Sequence, residues 1–245
     1  MEVKIIIPTK GRAKTIISHR YVAHAIICCP ESEKEDYKKT CAESEVIAHP
    51  DSLIGLALKR QWIMDKFGDV FMVDDDIMGM TNLAKRRGEA GRVDPVDAYW
   101  IIQNCANIAK LTGCYLYGFN KNVRPEHYSG HLPYAMTGYI NECAIGILKG
   151  SKHLKFNPDI KGSGDYYICA LNAYHHRKSF IDMRYCFNQD GIGNAIGGAS
   201  DYRTTETEKQ DFELLKMFFG NAIQLKTGGM FANKHAHSKT LIIPF

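Results

Sequence analysis

The 245-residue chain has no long apolar run: nowhere do about 18 apolar residues follow one another, the length a membrane-spanning helix requires. Its opening, MEVKIIIPTKGR, has no apolar stretch of signal-peptide length, so the expectation is a soluble intracellular protein with no membrane partner. There is no CxxC pair, which argues against a zinc ribbon. The eight cysteines, at 28, 29, 41, 105, 114, 143, 169 and 186, fall mostly inside apolar segments and are expected to be reduced and buried. Cys28 and Cys29 do not suggest a redox pair, because neighbours on a strand point to opposite faces. Internal repeats and low-complexity tracts are also missing, so nothing divides the chain, and one compact domain over residues 1–245 is expected. The formal net charge is only +4, so any nucleic-acid contact must come from a local basic patch.

What is present is an alternation of short apolar runs and helical stretches, in a composition 45% hydrophobic. Residues 3–7 are a β-branched run stopped by Pro8, and residues 25–29 repeat the pattern up to Pro30. SEKEDYKKTCAE follows with acids early and lysines late, as a helix dipole favours. A third strand at 45–48, a helix over 54–67 closed by Gly68 and a strand at 70–73 complete the rhythm. Strands spaced by helices or loops imply an α/β fold with a mostly parallel sheet and helices on its faces. Ligands of such sheets bind beyond the carboxyl ends of the strands, where residues 9–12 and 74–76 emerge. Further on, the pattern predicts a helix from Asp94-Pro95 to 110, a strand at 114–119, an extended segment over 137–148, and helices at 165–176 and 205–220.

The stretch VFMVDDDIMG stacks three carboxylates where a buried strand surfaces. Adjacent like charges repel and are costly to desolvate unless a cation or donor faces them. Hard divalent ions such as Mg²⁺ or Mn²⁺ take oxygen ligands and bridge carboxylates to phosphates, so Asp74, Asp75 and Asp76 suit a metal carried by a nucleotide diphosphate. Alternation sends Asp74 and Asp76 one way and Asp75 the other unless the chain turns. The other reading is that the run caps a helix or pairs with nearby arginines.

IIIPTKGR followed by VFMVDDDI resembles the start and the DxD motif of nucleotide-sugar glycosyltransferases of the GT-A fold, which is Rossmann-like. More narrowly, the chain resembles the TET-associated glycosyltransferases of bacteriophages, implicated in decorating 5-hydroxymethylcytosine in DNA. The resemblance implies a metal-dependent enzyme that uses Mn²⁺ or Mg²⁺ and a UDP-sugar donor, with DNA as acceptor, at work in the host cytoplasm if a phage encodes it. It implies a nucleotide-binding half, 1–80, and an acceptor-binding half, 81–245. Pro8, Thr9 and Arg12 then stand where the nucleoside is gripped, Asp51 where the base is read, and Arg60 near the diphosphate with Lys59 as its rival. Asp76 is the first choice for the metal, with Asp74 as the other member of the DxD pair, and Asp74 or Asp75 would hold the ribose. GSGDYYICAL resembles the later acidic motif, with Gly164-Asp165 where an acidic pair is usual, which makes Asp165 the catalytic base or, read structurally, an ordinary N-cap. A C-terminal histidine often completes the metal shell in such enzymes, and FANKHAHSK offers His237 ahead of His235.

The loop NLAKRRGEAGRVD brings Lys85, Arg86, Arg87 and Arg92 together just after the aspartates, and FNKNVRPEHYSGH adds Lys121, Arg124, His127 and Tyr128. Cations interleaved with an aromatic ring can bind phosphates and stack on a base, so these residues are the candidate nucleic-acid contacts. His175 and His176 end a helix and are expected to be structural. QDGIGNAIGGAS is read either as a closing loop or as a turn region. A glycosyltransferase with a non-DNA acceptor, such as a glycan, a protein or a small molecule, is one alternative, and two competing identities also remain. A nucleotidyltransferase would carry a glycine-rich signature that PTKGRAKT lacks, and a noncatalytic DNA-binding protein would use its aspartates only as caps.

Overall fold

The computed structural model describes residues 2–85, 89, 91–189, 204–226 and 237–243. In chain order its first half comprises β1 (Lys4–Pro8), β2 (Ile26–Pro30), α1 (Lys34–Thr40), β3 (Val46–His49), α2 (Leu56–Phe67), β4 (Val70–Val73), β5 (Ile77–Asn82) and α3 (Pro95–Leu111). There follow β6 (Leu116–Phe119), β7 (Tyr134–Ala135), β8 (Ala144–Ile147), α4 (Gly164–His176), β9 (Phe180–Asp182), β10 (Tyr185–Gln189), α5 (Thr205–Phe219), β11 (Ile223–Leu225) and β12 (Lys239–Leu241).

The short apolar strands are buried on both sides, and their alternation builds two cores. Ile5, Ile7, Phe71 and Val73 enter one with Ala98, Ile102 and Cys105 of α3. Ile6, Val70 and Met72 enter the other with Ile63 of α2 and Ile168 of α4. The eight-stranded sheet has the order β3-β2-β1-β4-β8-β6-β9-β7. Its first four strands are mutually parallel, in the register Ile6↔Ile26, Ile6↔Met72 and Cys28↔Ile47. β8 runs antiparallel between β4 and β6. The carboxyl ends of β1 to β4 therefore lie along one edge, as the alternation predicts. All eight cysteines are buried and unbridged. Among the described residues no helix is long and apolar enough to cross a membrane.

Local chemistry explains where the elements begin. Asp94 caps α3 through Val96 N at 2.8 Å, with Pro95 in the first turn. Thr204 and Thr207 form a reciprocal capping box at α5. The helix expected over 54–67 starts at Leu56 because Gly55 takes φ 93°. The extended segment expected over 137–148 is strand only at Ala144–Ile147, since Gly138 adopts φ 143° and the Asn141 side chain accepts from Cys143 N in a local turn. Two features were not legible in the pattern. β5 and β10 pair as an antiparallel ribbon with an irregularity at Asn188/Gln189, and α5 with the β11–β12 hairpin gathers a small third core of Ile160, Leu215 and Ile223.

Candidate active site

The three aspartates do not continue strand alternation, because the chain turns between β4 and β5. Ser18, fully buried, closes the turn: its hydroxyl donates to Asp74 O at 2.6 Å and accepts from Ile77 N at 2.7 Å. Each carboxylate then meets a different partner. Asp75 accepts from Thr9 Oγ1 at 2.5 Å and from Arg12 Nη1 at 2.6 Å. Asp74 accepts from Arg60 Nη2 at 2.8 Å, and Asp76 accepts from Gln189 Nε2 at 2.9 Å. The turn spreads the charges, and two of the three carboxylates pair with arginines, as the second reading of the run expects.

The first strand's loop is fixed by the same contacts. The Tyr37 hydroxyl lies 2.9 Å from Thr9 Oγ1 and accepts from Arg12 N at 3.0 Å, tying α1 to the loop after β1. Pro8 ends β1 beside Cys28. Asp51 is exposed beyond β3, where Ser32 donates to it through N and Oγ, and these bonds lower its pKa. Lys59 is buried, and among the described residues no hydrogen bond or ion pair engages its ammonium; burial lowers its pKa.

Arg60 joins the two halves of the chain. It is 1% exposed, and besides Asp74 it donates to Glu142 O at 2.9 Å and forms an ion pair with the Glu142 carboxylate. That carboxylate lies over Gly164, where an added Cβ would stand 2.4 Å from Oε1. The absence of a side chain at 164 is what gives Glu142 its place. Asp165 follows in the first turn of α4, not at its N-cap, which is Ser163. Its carboxylate accepts from the Tyr139 hydroxyl and, at 2.8 Å, from Tyr166 N.

Electrostatics follow from this crowding. Burial pushes the Asp74 pKa up to about 7 even though Arg60 opposes it. Burial raises Asp76 as well, with the Gln189 bond opposing and the Asp75 charge adding to the shift. Asp165 is raised by burial against the Tyr139 and Tyr166 bonds and the fields of Arg60 and Lys239. The Tyr139 hydroxyl is raised by burial and by Asp165, so it remains a donor. Carboxylates held in this way accept protons more readily than free ones, which suits at least one of them to general-base work.

Among the described residues no three His, Cys, Asp or Glu side chains form a metal cage. Mg²⁺-like ions on nucleotides usually take one or two carboxylates and complete their shell with phosphate oxygens and water, so Asp76 with Asp74 suits a diphosphate-borne ion and not a protein-enclosed one. His237 has a buried Nδ1 with no hydrogen-bond partner among the described residues. Of the basic residues expected to meet nucleic acid, those that are described lie on the surface. Lys85, Arg92 and Arg124 are exposed, Arg92 with its guanidinium 5.0 Å from the Tyr21 ring centre, and Tyr128 is partly buried after the short turn Pro125–His127. Arg86, Arg87, His235 and residues 190–200 of the glycine-rich segment fall outside the described residues. His175 and His176 pack with His153 at the far end of α4, as a structural cluster.

Sequence reasoning missed Ser18, Tyr37, Tyr139, Glu142 and Lys239. Only Glu142 left a trace, as Gly164 where an acid was expected.

Residues 3–196 match the family described as TET-Associated Glycosyltransferase. No curated protein sequence matches the chain. Among solved structures, a crystal structure of residues 1–349 of S. aureus TarS matches with a TM-score of 0.50 at 11% identity, over 90% of this chain and 73% of that one. The same portion of TarS in complex with UDP-GlcNAc matches with a TM-score of 0.53 at 9% identity, over 89% of this chain and 66% of that one. At such identities the likeness is one of fold, a mixed α/β sheet flanked by helices of the GT-A type. The family match, in contrast, runs from the first strand through the acidic turn, Glu142 and Asp165, so the chain belongs to the TET-associated glycosyltransferase family and is a glycosyltransferase.

Proposed function

We propose that the protein transfers a sugar from a UDP-sugar to a hydroxyl acceptor, 5-hydroxymethylcytosine in DNA, in a metal-dependent reaction. The observation that carries this reading is the buried Arg60, which ties the acidic turn through Asp74 and the base region through Glu142 into one site. Thr9, Arg12 and Asp75 form the nucleoside side beside Pro8, with Asp51 at its rim and Asp74 or Asp75 toward the ribose. Arg60 is occupied by two carboxylates, and Lys59 beside it in the sequence is the other cation for the donor phosphates in this reading. A divalent ion held by Asp76 and Asp74 would supply charge neutralisation to the departing diphosphate, with phosphate oxygens and water completing its shell. UDP binding is further supported by a structural neighbour that was solved with UDP-GlcNAc.

In the transfer the sugar's anomeric carbon exchanges its bond to the diphosphate oxygen for one to the acceptor oxygen. UDP leaves with the electron pair, and the acceptor proton passes to Asp165. A hydroxymethyl group on cytosine lies in the major groove, so the protein either reaches it there or takes the nucleotide out of the stack. Lys85, Arg86, Arg87, Arg92, Arg124 and Tyr128 are the residues assigned to the DNA backbone and bases in this reading.

The test is incubation with Mn²⁺, a panel of UDP-sugars and hydroxymethylated or plain DNA, followed by digestion and mass spectrometry of the nucleosides. A sugar mass on hydroxymethylcytosine alone is expected, and Asp76→Asn should abolish it. UDP release without any DNA product would reassign the acceptor. Full transfer by Asp76→Asn would remove the metal from the reading.

A further inference from the structure

The chain around Asp165 is held from outside the region that matches the family. The match ends at residue 196, whereas α5 and the β11–β12 hairpin occupy residues 205–241. Asp211 of α5 is 1% exposed, and its two oxygens accept from the backbone of Lys161 and of Gly162, each at 2.8 Å. Lys239, at the start of β12, is 6% exposed and donates from Nζ to Ser163 Oγ at 2.8 Å. Ser163 is the N-cap of α4, yet its side chain makes no capping bond to the helix. On the other side, the Tyr166 hydroxyl donates to Lys239 O at 2.7 Å. Residues 161, 162, 163 and 166 are thus each anchored to the C-terminal unit, and Gly164-Asp165 is the pair between the anchors.

Apolar packing backs these bonds. Ile160, Leu215 and Ile223 share a small core against which Tyr166 and Tyr167 pack, and the Tyr167 ring meets Phe218 and Phe219 edge-on at 5.9 and 5.7 Å. A buried ammonium is costly unless it is bonded, so Lys239 is not a neutral choice at this position. Its charge also acts on the Asp165 carboxylate. A shift of about 1 Å in a reacting group can cost a hundredfold in rate.

We propose that the C-terminal unit is the device that positions the base of the transfer reaction, with Lys239 as its principal positioning residue. Lys239 sets the first turn of α4 by bonding Ser163 through its ammonium and Tyr166 through its carbonyl, and it thereby aims the Asp165 carboxylate. The proposal rests on Asp165 being the base.

The test uses the full chain with Lys239→Met, Tyr166→Phe and Asp165→Asn, measuring kcat, donor KM and the pH profile of UDP release. Affinity for UDP with Mn²⁺ is measured in parallel. Lys239→Met is expected to lower kcat tenfold to a hundredfold, to leave UDP affinity within twofold, and to move the acid limb of the profile to higher pH. Tyr166→Phe removes one bond and keeps the ring, so it should show a smaller change in the same direction; it carries the test if Lys239→Met does not fold. Wild-type kcat and an unmoved acid limb in Lys239→Met, or in Tyr166→Phe when only that variant folds, while Asp165→Asn is inactive, would overturn the positioning role alone. Wild-type turnover by Asp165→Asn would overturn the base assignment and the positioning role together.

Discussion

Tyr139→Phe isolates one contribution to the poise of the base. The Tyr139 hydroxyl donates to Asp165, and the ring packs 5.1 Å from that of Tyr166 and lies 5.3 Å from the Lys121 ammonium. Phenylalanine keeps that packing and removes only the donor. A hydrogen bond to a charged acceptor contributes about 1.5–3 kcal/mol, and about 1.4 kcal/mol is a factor of ten in an equilibrium. Without the bond the ionised carboxylate loses that support, so its pKa, already raised by burial, rises further. On the acid side of the profile kcat/KM should therefore fall by about one to two decades. On the alkaline plateau it should hold or increase, because a base of higher pKa accepts a proton more strongly. The two profiles should differ in shape and not by a constant factor. UDP release measured from pH 5 to 9 with saturating and limiting acceptor checks this, with circular dichroism as the control for folding. A uniform loss at every pH would show that Tyr139 only holds the site's shape, and superimposable profiles would remove Asp165 as the titrating base.

Gly164→Ala places a Cβ 2.4 Å from Glu142 Oε1 and should push that carboxylate off Arg60. The expected cost is about 1.5–3 kcal/mol in urea unfolding, and it should vanish in a Glu142→Ala background, since the two changes break the same contact. Ser18→Ala should cost about 2–4 kcal/mol, because two buried backbone groups, Asp74 O and Ile77 N, lose their partner; a change below 1 kcal/mol would mean that water replaces the hydroxyl. The His153 and His175 rings stack at 3.8 Å, and the pKa values of His175 and His176 are lowered by burial and then by His153. The unfolded chain then binds more protons than the folded one as pH falls below about 6.5, so the urea midpoint should drop between pH 7.5 and 5.5, and His153→Ala should flatten that drop.

The pattern of residues carried the near-neighbour features of this protein. Short, nearly continuous apolar runs at residues 3–7 and 70–73 set strands buried on both faces, Asp94-Pro95 and TETE marked helix starts, and parallel pairing brought residues 9–12 and 74–76 to one edge. These depend on backbone geometry and on neighbours a few positions apart, which a sequence displays directly. The partners of charged groups are a different matter. Arg60 finds Glu142 across 82 residues and Lys239 finds Ser163 across 76, and nothing local to either position names the other. Strand alternation failed at Asp74–Asp76 because Ser18, 59 residues from Ile77, bends the chain there. Whether a carboxylate binds a cation, fixes a loop or takes a proton depends on what surrounds it once water is gone, and only packing of distant segments decides that.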